Sequence, residues 1–137
     1  MTQTKWRPGD PVNWELPGEL FTAGGLHAFI LETTGAKSGL PRRAVVGYLD
    51  DGSGAWLVIG SMGGAPRNPG WTHNLVAHPQ ATVVLAGGQR VPVRAERLAG
   101  EELETAWERI GVEAPEYVAY LSKTDRAIPV FRLARTA

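Results

Sequence analysis

The chain has 137 residues, 43% of them hydrophobic, with 14 basic residues against 14 acidic ones. That length is enough for one domain with a core, and the neutral balance excludes nucleic acid or an anionic membrane as a partner recruited by net charge. The absence of cysteine excludes disulfides, thiolate metal sites and thiol nucleophiles, and it fits a reducing compartment.

The opening MTQTKWRPGD is polar and lacks the apolar core of a signal peptide. No apolar run reaches the length of a membrane span, so a cytoplasmic protein without an integral membrane segment is expected. Residues 1–25 are interrupted by proline and glycine and read as an irregular arm, with one short helix expected around Glu19 to Thr22.

From residue 26 onward a single domain is expected. HAFILETT reads as a strand, GAKSGLP as a turn, RRAVVGYL as a strand, DDGSG as a hairpin turn and AWLVIGS as a third strand. MGGAPRNPG is too rich in glycine and proline for regular structure, and WTHNLVAHP follows as a short helix ending before Pro79. ATVVLA and QRVPVRAERLA form a second hairpin across Gly87 and Gly88, with Pro92 expected at an edge or bulge. GEELETAWERIG is a helix with acids in its first turn, PEYVAYLSKT a second helix opened by Pro115, and IPVFRLA a last strand. Six strands of mainly antiparallel order, with apolar runs too continuous for one exposed face, point to a mainly β fold with short helices, closed or nearly closed into a barrel.

Two stretches carry candidate chemistry. In TTGAKSGLPRRAVVGYL, residues 33–49, the turn reads either as a solvated connector or as an anion site. In the second reading, backbone N–H groups, the Ser38 hydroxyl and the charges of Lys37 and Arg42 converge. Arg42 and Arg43 point to opposite faces of a strand, so only one can join Lys37, and Arg42 is assigned. The contiguous Gly-Lys-Ser of a Walker loop is missing, and a strand rather than a helix follows.

The second stretch is GSMGGAPRNPGWTHNL, residues 60–75, a long irregular crossing of the kind used for binding. Trp71 either plugs the core or, at a rim, offers a flat wall to a ring system, with Asn74 one turn further on the same helix face. His73 and His78 are spaced to diverge and His27 stands alone in a strand, so no metal site is legible. Hydrolase signatures are absent. Tyr117 and Tyr120 share one helix face, as a core stripe or a substrate lining.

TTGAKSGLPR, NPGWTHNLVAHP and YLSKTDRAIPVFRL occur in this order at compatible spacing. Together they resemble the deazaflavin-dependent nitroreductase family over residues 25–134. The resemblance implies a six-stranded antiparallel split β-barrel, coenzyme F420 as hydride donor, and an electron-poor small molecule as acceptor: an activated alkene, a quinone or a nitro compound. It implies that Lys37, Ser38 and Arg42 meet the cofactor's phosphate and acidic tail and that Ala44, Val45 and Val46 pass beside it. Gly60, Ser61 and Met62 would lie near the ring, with Gly70, Trp71, Thr72 and Asn74 completing the wall. Tyr117 and Tyr120 match positions lining the substrate side, Tyr117 also beside the cofactor, and Ser61, Tyr117 or Tyr120 would hydrogen-bond the acceptor or relay a proton, with Ser61 and Tyr120 assigned.

The chain departs from the family pattern at Ala36, Met62, Thr72 and Ala114, so grip on the tail would fall partly to Arg43 or Arg67. FMN on the same type of barrel is the alternative cofactor, and a non-catalytic F420 or FMN carrier or sensor the alternative function.

Overall fold

The structure, a computed structural model, describes residues 11–22, 26–61, 68–124 and 127–136. Its elements in order are β1 (Leu20–Phe21), β2 (His27–Thr34), β3 (Pro41–Asp50), β4 (Trp56–Ile59), α1 (Gly70–Ala77), β5 (Gln80–Val84), β6 (Arg90–Arg97), α2 (Gly100–Glu113), α3 (Pro115–Tyr120) and β7 (Val130–Arg135). A 3-10 turn, Leu121–Lys123, follows α3.

The strands run antiparallel in the order β2-β3-β4-β7-β6-β5, and β5 pairs back onto β2 through Ile30↔Val84, Leu31↔Val83 and Glu32↔Thr82. The six-stranded barrel is therefore closed and its edges are hidden.

Closure explains the patterning. Every residue of β4 is buried, because Trp56 and Val58 face the barrel interior while Leu57 and Ile59 lie under the helical layer. A strand covered on both faces reads as a continuous apolar run. β6 instead alternates, with Val91 and Val93 buried and Arg90, Pro92 and Arg94 exposed. The interior is filled by Phe29, Leu31, Val58, Val83, Phe131 and Leu133, and the outer cluster joins Leu49, Leu57, Ile59 and Val130 to Ala106 and Ile110 of α2.

Three local expectations are corrected. The helix expected around Glu19 to Thr22 is instead β1, which takes the stretch of the β2 edge just before β5 begins (Leu20↔Ala28, Phe21↔His27). Unpaired strand groups there outcompete a weak local helix preference. Pro92 lies on an interior strand rather than an edge or a bulge. It is tolerated because Val93↔Arg135 is the terminal pair of the β6–β7 ladder, and beyond it Pro92 contributes only its carbonyl, which accepts from the Thr136 N–H at 3.2 Å, so its missing N–H is not called on. The helix expected over 115–124 tightens after Tyr120 into the 3-10 turn.

α2 is tied to the barrel through Arg132. Its guanidinium donates to Asp51 (2.9 Å), Glu96 (3.1 Å) and Glu102 (2.7 Å), the last in the first turn of α2. Burial of Asp51 favours its neutral form, but hydrogen bonds from Ser53 and Arg132 outweigh this and hold the carboxyl below its ordinary 3.8. A lowered folded-state pKa contributes stability above the unfolded value, lost as pH falls through the folded one. Asp51→Asn should therefore lower the unfolding midpoint at neutral pH, and the gap from wild type should close below about pH 3.8. A constant gap across an acid titration would contradict it.

Candidate active site

The β2–β3 turn is closed by its own backbone. The Gly35 N–H donates to the Leu40 carbonyl at 2.8 Å and the Gly39 N–H to the Gly35 carbonyl at 2.9 Å. Gly39 sits at φ 69°, a left-handed conformation suited to glycine. The Ser38 hydroxyl accepts from the Leu40 N–H at 3.2 Å and folds over Gly35, where any Cβ would strike it. Asn74 then ties the turn to α1: its carbonyl oxygen accepts from the Ala36 N–H (2.9 Å) and its amide donates to the Thr33 hydroxyl (3.0 Å). Four turn N–H groups are thus occupied, and those of Lys37 and Ser38 remain open among the described residues.

Asn74 is consequently a brace in this geometry. Asn74→Ala would leave the Ala36 N–H and the buried Thr33 hydroxyl without these partners, at a cost of about 1–3 kcal/mol. Denaturant unfolding should register that loss, and unchanged stability would remove the brace.

Between this turn and α1 opens a cleft of about 790 Å³ at one mouth of the barrel. Lys37, Ser38, Arg42, Gly70, Thr72 and Asn74 line it together, so six of the residues singled out by sequence converge there. Arg42 faces the cleft, while Arg43 points to the opposite face and pairs with Glu15 (3.0 Å) and Glu32 (3.4 Å). Strand alternation had indicated this division.

Other residues lie elsewhere. Trp71 is 9% exposed and packs edge-on against Phe131, 6.1 Å between centroids, within the interior cluster. Of the two readings of Trp71, this geometry favours the core plug: the first turn of α1 directs the indole inward. Gly60 lies behind the cleft wall, where a Cβ would come within 2.8 Å of Thr72 and 2.9 Å of Pro129, two residues that line the cleft. The Thr72 hydroxyl donates to the Pro69 carbonyl at 2.6 Å, so its proton is directed away from a ligand.

Ala44 and Val46 pack with the interior cluster, and Val45 falls on the outer face between them. Ser61 is buried just beyond β4, and Met62 and Arg67 lie outside the described residues.

Tyr117 and Tyr120 belong to the outer helical layer and do not line the cleft. The Tyr117 hydroxyl shares a 2.7 Å hydrogen bond with Thr22 over Gly47, whose missing side chain permits the approach. Burial raises the pKa of both phenols, reinforced at Tyr120 by the charge of Glu116 and opposed at Tyr117 by the Thr22 bond. Both phenols therefore stay protonated at neutral pH.

One cleft cation escaped the sequence reading. Arg97 ends β6 and enters the cleft from another wall. The alternation in RVPVRAER, with Val91 and Val93 inward, places Arg97 on the inward face and was the available signal. Among the described residues, no Asp or Glu lines the cleft, and Lys37, Arg42 and Arg97 have no ion-pair partner. Uncompensated positive charge over open N–H groups is the donor set of an anion site.

Residues 17–134 match the family model described as F420H(2)-dependent quinone reductase. This chain belongs to that family. It is 38% identical over 115 residues to the F420H(2)-dependent quinone reductase Rv1261c of Mycobacterium tuberculosis, covering 82% of this chain and 76% of the relative. The solved F420-H2 dependent reductase FDR-A is 36% identical with a TM-score of 0.67, over 77% of this chain and 92% of that one. HutZ, the heme storage protein from Vibrio cholerae, reaches a TM-score of 0.61 at 14% identity, over 80% of this chain and 82% of that one, a likeness of fold alone.

The F420H(2)-dependent quinone reductase family is an oxidoreductase family, so the cleft belongs to an enzyme. No described helix of this family member is long and apolar enough to cross a membrane.

Proposed function

We propose that the protein is a coenzyme F420-dependent reductase that passes a hydride from the reduced deazaflavin to an electron-poor small molecule, with quinones as the first acceptor class and activated alkenes or nitro compounds as extensions. The observation that carries this reading is the cleft: Lys37, Arg42 and Arg97 without carboxylate partners among the described residues, beside the apolar Pro129 and Phe131. Family membership supports the choice of cofactor. The donor set fits a phosphate with an acidic tail, since cations and open N–H groups converge in the cleft and none of its described lining residues is a carboxylate.

The cofactor, when bound, supplies the hydride. The chain's own groups bind and orient. Lys37 and Arg42 attract the anionic end, the N–H groups of Lys37 and Ser38 direct it, and Asn74 keeps the turn registered against α1. Gly60 keeps the wall close-packed by letting Thr72 and Pro129 approach. Ser61, buried just beyond β4, and Tyr120, in the helical layer outside the cleft lining, are the hydroxyls proposed for the acceptor, a role that requires the acceptor to extend beyond the cleft itself. Burial and the charge of Glu116 raise the Tyr120 pKa, which keeps the phenol a neutral hydrogen-bond donor and makes it a weaker source of a proton.

Titration with oxidised coenzyme F420 and with FMN, followed by oxidation of the reduced cofactor under a panel of quinones, enones and nitro compounds, tests the proposal. Tighter binding of F420 than FMN and acceptor-dependent turnover are expected. Tight F420 binding without turnover would make the protein a carrier, and preference for FMN would overturn the cofactor assignment.

A further inference from the structure

We propose that Arg97 is a specificity-determining residue: it lets the cleft select a ligand with two separated anionic groups over one bearing a single phosphate. This rests on the cofactor reading above and assigns the acidic tail to a particular wall of the cleft. Around the closed ring β2-β3-β4-β7-β6-β5, strands β3 and β6 lie three positions apart in either direction. Arg42, near the start of β3, and Arg97, the last residue of β6, therefore reach the same cleft from opposite sides of the barrel mouth.

Arg97 continues the inward series of Val91 and Val93 past Ala95, and its cross-strand partner is the buried Phe131. Its adjacent acid, Glu96, turns outward and bonds Arg132 at 3.1 Å. The guanidinium is thus set at the end of an apolar face with no carboxylate partner among the described residues. Lys37 and Arg42 suffice for one phosphate on their side. A cation on the far wall gains a partner only when a second anionic group, such as a glutamate carboxylate, extends across the opening.

The test compares coenzyme F420 carrying its oligoglutamate tail with the same deazaflavin phosphate lacking the glutamates, in wild type, Arg97→Ala, Arg97→Gln and Lys37→Ala. Thermal unfolding establishes that each variant is folded. Loss of Arg97 in either form should weaken the tailed cofactor roughly tenfold and leave the untailed one within about twofold, whereas Lys37→Ala should weaken both. The salt dependence of tailed-cofactor binding should also become shallower in the Arg97 variants. Equal losses for both ligands, or no loss for either, would overturn the role of Arg97 while leaving the cofactor reading intact. Failure of wild type to bind either ligand would overturn both.

Discussion

Lys37→Ala and Arg42→Ala should each weaken coenzyme F420 binding by about 1–3 kcal/mol, roughly 5- to 150-fold, with the double variant losing more than either. Both side chains are exposed and enter the cleft without a carboxylate partner among the described residues, so a bound anion would supply their counter-charge. Exposure places the expected losses toward the lower end of that range, and raised salt should reduce the difference between variants and wild type. Arg43 is the control. It follows Arg42 directly but is engaged with Glu15 and Glu32 on the other face, so Arg43→Ala should leave affinity and salt response near wild type. Fluorescence titration decides the matter. Equal losses at Arg42 and Arg43 would contradict the functional separation of the two faces, and no loss at Lys37 or Arg42 would reduce the turn to a connector.

Trp71→Ala should destabilise the fold itself by about 3–5 kcal/mol, the usual cost of deleting a buried aromatic side chain. The indole is 9% exposed and shares the interior cluster with Phe29, Val58, Leu75 and Phe131, so truncation opens a cavity at the mouth where α1 closes the barrel. Trp71→Phe keeps part of that volume and should lose less. Denaturant unfolding measures both. If folded Trp71→Ala matched wild-type stability but lost affinity, the side chain would be acting as a ring wall and not as a plug.

Local chemistry was legible in the sequence because it depends on neighbours along the chain. Alternation assigned Arg42 and Arg43 to opposite faces, glycine and proline marked the turns, and the continuous apolar run of β4 indicated a strand covered on both sides. The three ordered motifs pointed to the right family of enzymes.

What the tertiary structure decided were the meetings between distant segments. β1 forms because β2 offers a free edge there, and Pro92 is tolerated inside the sheet because the end of β7 asks only for its carbonyl, through Thr136. Asn74 finds Ala36 and Thr33 across an interval of about forty residues, and Trp71 points inward to meet Phe131. Arg97 reaches the cleft because closure of β5 onto β2 carries the end of β6 around to face β3. Periodicity determines which residues share a face of a strand, since backbone geometry sets it within a few residues. Which faces meet, and which cation is left without a partner, is determined by the closure of the ring, which a single strand's pattern does not encode.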